Sequence, residues 1–412
     1  MSAGAAATRE ATAPPELLAL RSAAAVRERC ERVYEWVAAG RSAHFTLDET
    51  KLDATAAFVS KITRAAYPDL VIPHHSRWGH FSAGGHDRWR TLALAGLSEL
   101  DRARAAIDLT VVSVLLDAGA GSAWRYREAE TGLTFARSEG LAVASFEMFR
   151  AGLFSSDPMR PYQVDSKALA RLELTQLATA FQASDSNPLV GLPHRLDLLH
   201  RLANALTTQP GFGTAGRPGH LFTRILMESR TIAAPAILAS LLDALSGIWP
   251  SGLEVDRVAL GDAWRHPAIR TRDRSDGIVP FHKLSQWLTY SLIEPIERAD
   301  LTVTDLDGLT GLPEYRNGGL LLDMGVIVPR APLDPAAPHE VGSELIVEWR
   351  ALTVALLDRL REATRAHLGL ATLSMSQLLQ GGTWSAGRTI AVERRPPDGP
   401  PPLSIKADGT VF

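Results

Sequence analysis

Four short polar stretches carry side chains able to do acid–base chemistry beside apolar surface. Ala183-Ser184-Asp185-Ser186-Asn187-Pro188 offers a carboxylate in a turn. There Asp185 can be held near the start of the next helix and aimed by the neighbouring hydroxyls and amide. Gly261-Asp262-Ala263-Trp264-Arg265-His266-Pro267 places a carboxylate, an indole and an imidazole within five residues, a set suited to a wall that both stacks and moves protons. Pro280-Phe281-His282-Lys283-Leu284-Ser285-Gln286 opens a helix with proline in its first turn. At about 100° per residue Lys283, Gln286 and Tyr290 share one face, opposite Phe281, Leu284, Leu288 and Leu292. Finally Leu309-Thr310-Gly311-Leu312-Pro313-Glu314-Tyr315-Arg316-Asn317 runs a carboxylate, a phenol, a guanidinium and an amide together inside a leucine-rich frame. Solvated turns seldom have that composition. Glu314, Tyr315, Arg316, Lys283 and Gln286 are therefore expected to converge on one cleft, with Trp264, Trp349 or Trp384 as an apolar wall. Trp384 follows Gln380-Gly381-Gly382, where small residues let a backbone approach a ligand or a neighbour.

Other patterns are weaker. Gly211, Gly213 and Gly216 spell GxGxxG, but a helical segment precedes them where a dinucleotide site needs a strand. His74, His75 and His80 lie close in sequence without an HExxH or CxxC companion. No metal site is assigned to them, although a metal-dependent amidohydrolase remains the alternative they would serve. The GxSxG elbow and the phosphate-binding P-loop do not occur.

The elements that must position these groups read as mainly helical. Spacings of three and four apolar residues predict helices over 15–39, 46–66, 90–116, 138–154, 165–181, 194–206, 220–248, 280–296 and 343–368. Strand signals are confined to 69–73, 389–392 and 403–412, the last two forming a C-terminal hairpin with Asp408-Gly409 at a turn. The expected organisation is a disordered tail over 1–15, a helical catalytic domain over 16–393 and an extended clasp over 394–412. Two lobes would meet near 209–219. Of 412 residues 46% are hydrophobic and 22% charged, the balance of a globular chain with a sizeable core. A net charge of −3 disfavours nucleic acid as a partner. The lone Cys30 cannot form an internal disulfide. With no long apolar run and no signal-like start, the expected location is the cytoplasm, away from membranes.

The 309–319 segment resembles the Asp-Tyr-Arg region of queuosine-salvage nucleoside glycosylases. Phe281-His282-Lys283-Leu284-Ser285-Gln286 resembles their Phe-Tyr-Lys-Arg-Ala-Gln, at a similar distance upstream. Over nearly its whole length the chain resembles the uracil catabolism protein 4 family, most clearly at 279–295, 306–325, 341–358 and 378–388. The resemblance implies a helical, DNA-glycosylase-like fold and hydrolysis of an N-ribosyl bond. The substrate would be ribosylurea or its 5′-phosphate, a small riboside or ribonucleotide derived from uracil, with no cofactor. In the glycosylases an aspartate after a phenylalanine serves as nucleophile or transition-state stabiliser. Phe181 and Asp185 occupy the comparable region at a different spacing. Asp185 is thus the first choice of catalytic carboxylate and Asp262 the second, with Glu314 as a third. Lys283, His266 or Tyr315 would donate the proton, and Arg316 with Lys283 would hold a phosphate. A non-catalytic scaffold of the pathway is the contrasting class, and it predicts no small-molecule cleft.

Overall fold

In a computed structural model the chain is mainly helical, and its strands pair only as two-stranded sheets. The structure describes residues 13–249, 252–334 and 337–406. The expected N-terminal tail lies almost wholly outside them, as does the Asp408-Gly409 turn. Ten helices of nine or more residues organise the described part: α1 (Ala23–Ala38), α2 (Leu52–Ala66), α3 (Glu99–Leu115), α4 (Arg137–Arg150), α5 (Leu192–Thr208), α6 (Ala234–Leu245), α7 (Lys283–Glu297), α8 (Tyr315–Asp323), α9 (Glu344–Leu368) and α10 (Trp384–Arg394).

Helix α3 is central. Ser98 caps its N-terminus by accepting from the Asp101 amide, and Glu99 and Asp101 complement the positive end of the helix. From Ala105 to Leu115 every residue is buried, so this half is surrounded rather than amphipathic. Helix α7 packs along it and is itself buried on nearly all sides. The face carrying Lys283, Gln286 and Tyr290 is therefore interior, like the opposite apolar face. Helix α9 packs against α1 and α2, and α8 lies against α10. Close approach requires Gly387 on α10, where a Cβ would sit 2.2 Å from the Arg316 carbonyl oxygen.

Four expectations about local structure are corrected, the first being the helix expected over 220–248, which is two helices, Thr223–Glu228 and Ala234–Leu245, parted by the strand Thr231–Ala233. The 69–73 segment is a turn: Leu70 has φ of 58° and the Asp69 carboxylate accepts from the Val71 amide, a local bond that competes with pairing. The β-branched 389–392 segment lies inside α10, where packing against α8 overrides strand propensity. The single helix expected over 165–181 is two, Ser166–Arg171 and Leu174–Ala180, because Glu173 adopts extended backbone and starts a capping box with Gln176. Gly211, Gly213 and Gly216 form a bend with positive φ after α5, as expected of a helix connection.

Candidate active site

One cavity of about 600 Å³ opens among these helices, within the usual size range for small-molecule sites. Six distant segments line it. Asp117 follows the C-terminus of α3, and Arg137, Ser138 and Glu139 begin α4. Lys283, Leu284 and Trp287 come from α7, Glu314, Tyr315 and Arg316 from the start of α8, and Gln380 and Trp384 from the approach to α10. His75 and His80 complete the wall.

Backbone constraints aim these groups. His282 takes a left-handed φ of 49° immediately before α7, held by its Nε2 contact with the Leu20 carbonyl at 2.8 Å. The Asp262 carbonyl accepts from the amides of Phe281 and His282, and the Asp262 carboxylate accepts from the Lys283 amide at 3.0 Å. The entry of α7 and the position of Lys283 thus depend on Asp262. Trp384 is set by a π-helical turn over Leu379–Thr383, a distortion common at functional sites. Gly382 in that turn meets α2 so closely that a Cβ would lie 2.4 Å from Val59 Cγ1.

Electrostatically, the centre of the site is Lys283 with Glu314. Burial pushes the Glu314 carboxyl above the ordinary range, while Lys283 and a 3.1 Å hydrogen bond from Trp384 Nε1 pull it back without cancelling the shift. Burial lowers the Lys283 ammonium, with Glu314 opposing. Tyr315 is raised, first by burial and then by the Glu314 charge. Arg316, only 8% exposed, lies 4.9 Å from the Tyr315 ring and donates to the Gly399 carbonyl.

Also on the cavity wall, Asp117 forms an ion pair with the wholly buried Arg77 at 3.1 Å. Arg77 is fixed in turn by bonds to Ser113 Oγ at 2.7 Å and the Ser138 carbonyl at 2.9 Å. His75 packs against Trp287 with its ring tilted and 4.6 Å between ring centres, and its Nδ1 meets Gln380 Oε1 at 3.0 Å. Burial lowers both His75 and, more strongly, His80, where the Arg77 charge adds to the effect.

The expected cluster is brought together in most of its members: Lys283, Glu314, Tyr315, Arg316 and Trp384 share the cavity. Gln286 does not line it; its amide is exchanged with Thr310, bracing α7 against the chain that leads to Glu314. Asp185 is exposed on its turn and outside the cavity. Asp262 is buried, and its oxygens accept from Arg350 at 2.8 and 2.7 Å, from Trp264 Nε1 and from the Lys283 amide. Burial opposes its ionisation, but Arg350 and these bonds prevail and hold it below the usual carboxylate range. Trp264 covers Gly342 rather than the cavity, and Trp349 is core.

His266 is equally committed. Its Nδ1 accepts from the Ala268 amide, so Nε2 carries the proton and donates to Glu348 Oε2 at 3.1 Å. Glu344 approaches this pair, giving three potential metal ligands, but a metal on Nε2 would require the opposite tautomer and oppose the Ala268 bond. His74, His75 and His80 make no comparable group among the described residues. Their Nδ1 atoms instead meet Ser376 Oγ, Gln380 Oε1 and Arg77 Nη1.

The sequence does not single out Asp117, Arg137 or Trp287, and it raises His75 and His80 only as members of a metal-ligand cluster with His74. For Asp117 a signal exists: a carboxylate directly after a long apolar helix sits at the negative end of the helix dipole, an unfavourable place without a compensating cation.

A protein of Schizosaccharomyces pombe described as "Protein urg3" is 39% identical over 401 residues, covering 94% of this chain and 96% of its own. "Uracil catabolism protein 4" of Lachancea kluyveri is 38% identical over 435 residues, covering 95% and 98% respectively. The family described as "Protein of unknown function (DUF1688)" matches residues 19–412. With the match running through every segment that lines the cavity, the chain belongs to the DUF1688 family.

Proposed function

We propose that this protein is a hydrolase of uracil catabolism that cleaves the N-ribosyl bond of ribosylurea or its 5′-phosphate and releases urea. The pathway is suggested by the name of the Lachancea kluyveri relative. The observation that carries the reaction type is Glu314: a carboxyl group biased by burial toward its protonated form, beside Lys283, in a cavity walled by Trp287 and Trp384.

Breaking the bond from the anomeric carbon to a urea nitrogen leaves electron density on nitrogen and positive charge on the sugar, as in glycoside cleavage. The urea anion is a poor leaving group, so the nitrogen must be protonated as the bond breaks. Burial raises the affinity of Glu314 for a proton, the direction that favours a general acid. The Trp384 indole fixes one of its oxygens, which keeps the carboxyl aimed. Trp287 offers a flat apolar face to a small planar group such as urea. Arg137 and Arg316, with Lys283, place cations on the same wall system, suited to a 5′-phosphate. No step requires a metal or an organic cofactor.

The direct test is incubation of the pure protein with ribosylurea, with and without a 5′-phosphate, followed by separate assays for urea and free sugar. Equimolar release of both is expected. Ammonia without urea would refute the N-ribosyl assignment in favour of amide hydrolysis, and no turnover of either compound would refute it outright.

A further inference from the structure

Glycosidic cleavage needs a second carboxylate, one that faces the sugar rather than the leaving group. Asp185 and Asp262 do not line the cavity; Asp117 does. We infer that Asp117 is this second catalytic carboxylate, stabilising the positive charge that develops at the anomeric carbon and accepting the proton of the attacking water. The inference rests on the N-ribosyl hydrolase reading above.

The geometry is specific. The Asp117 side chain is 9% exposed, and its Oδ2 lies 3.1 Å from Arg77 Nη1. Its other oxygen, Oδ1, is buried and accepts no hydrogen bond. A buried carboxylate oxygen left without a donor is costly in a folded protein, and natural structures rarely keep one without a use. Here the carboxylate also stands at the negative end of α3, where the helix dipole disfavours it. Arg77 offsets that cost and cannot move: its backbone amide donates to Ser291 Oγ on α7, its Nε to Ser113 Oγ on α3, and its Nη1 to the Ser138 carbonyl on α4. Three helices therefore fix the cation, and the cation fixes one oxygen of Asp117. Asp117 itself lines the cavity, so its fixed carboxylate is a preorganised negative charge on that wall, which suits a positive charge that appears only in the transition state.

The step balances as follows. The bond from the anomeric carbon to nitrogen breaks with its electron pair moving to nitrogen, which takes the Glu314 proton and leaves as urea. The oxygen of water bonds to the anomeric carbon, and the surplus proton passes to Asp117. Exchange with solvent then restores both groups.

The test measures urea release by wild type, Asp117→Asn and Asp117→Ala on whichever ribosylurea form the wild type cleaves, with melting curves to establish folding. The expected result is a kcat loss of about 10²-fold or more in both variants, with KM changed by less than about threefold, and partial recovery of Asp117→Ala in formate or azide. A small anion can replace a carboxylate that acts on the sugar but not one that merely supports the fold. Full activity in Asp117→Asn, or a raised KM at unchanged kcat, would overturn the assignment and make Asp117 dispensable or a simple hydroxyl anchor. If the asparagine variant does not fold, Asp117→Glu keeps an anion for Arg77 while displacing its oxygens. Wild-type kcat in that variant overturns the proposal, and a folded variant with kcat lowered tenfold or more supports it. Absence of urea release from the wild type would instead mark failure of the hydrolase reading, and this role would fall with it.

Discussion

Replacing Asp262 separates a chemical role from an architectural one. In the native protein its two oxygens accept two bonds from Arg350, one from Trp264 and one from the Lys283 amide. Asp262→Asn keeps the shape but turns one acceptor into a donor facing the guanidinium, and it leaves a buried cation without its counter-charge. Breaking a buried pair in this way costs about 3–5 kcal/mol. Unfolding entropy scales with length, so a chain of 412 residues should shift by roughly 1 °C per kcal/mol, a fall of about 4 °C in Tm. Activity should drop as well, because the lost bond frees the first turn of α7 and moves Lys283. Differential scanning calorimetry and urea release should therefore change together. The double variant Asp262→Leu with Arg350→Met removes both charges, and because well-packed apolar pairs often replace buried ion pairs without penalty, it should regain most of the lost Tm. An Asp262→Asn protein that melts within 1 °C of wild type yet loses all turnover would refute this reasoning and return Asp262 to the chemistry.

Other outcomes follow from the same site. Asp185→Asn should leave turnover and Tm unchanged, because the side chain is exposed and outside the cavity; a tenfold loss of kcat would contradict the placement. Loss of the Glu314 proton should end activity on the alkaline side of the pH profile. Since Lys283 pulls the Glu314 carboxyl down, Lys283→Met should move that limb to higher pH even where its maximum rate is lower; a shift to lower pH would be inconsistent. Arg316→Gln should raise KM for a 5′-phosphorylated substrate by about tenfold, the scale of one charge-assisted contact, and change KM for the unphosphorylated one much less; equal effects on both would argue against a phosphate contact. Burial lowers His75 and His80 in the folded state, so the unfolded chain binds more protons as the pH falls. Their contribution to stability is complete above the unfolded value of about 6.5 and is lost progressively below it. Melts between pH 7.5 and 5 should show that decline, and His80→Gln should flatten it.

The helical character was readable because long apolar periodicity survives in any mainly α chain, and Glu314-Tyr315-Arg316 stood out because charge inside a leucine frame needs a polar cavity. What single-sequence spacing could not supply was which polar groups are already satisfied. Asp262, Trp264 and His266 look like a site in sequence, but Arg350 and Glu348, from the distant α9, engage Asp262 and His266, and Trp264 donates to Asp262. Gln286 shares a helical face with Lys283, yet Thr310 occupies its amide. Asp117 shows the reverse case. Its neighbours in sequence are small and unremarked, and its partner Arg77 lies forty residues upstream in a segment whose histidines drew attention to metals instead.

That asymmetry has a physical origin in how the cavity is built. Glycines make two of its walls by letting helices approach: Gly382 brings the π-helical turn onto α2, and Gly387 brings α10 onto the backbone of Arg316. Trp384 lies between these two glycines, and its indole donates to Glu314. Another part of the wall forms where Arg77 ties α3, α4 and α7 together around Asp117. Each reactive group is thus held by residues from other helices, and the side chains that hold it are far apart in sequence. A larger residue at Gly382 should accordingly disturb Glu314 through Trp384 without touching the cavity, whereas a truncation at Arg77 should disturb Asp117 while leaving the Trp384–Glu314 bond in place. The Trp384–Glu314 contact and the Arg77–Asp117 pair thus depend on different helix contacts.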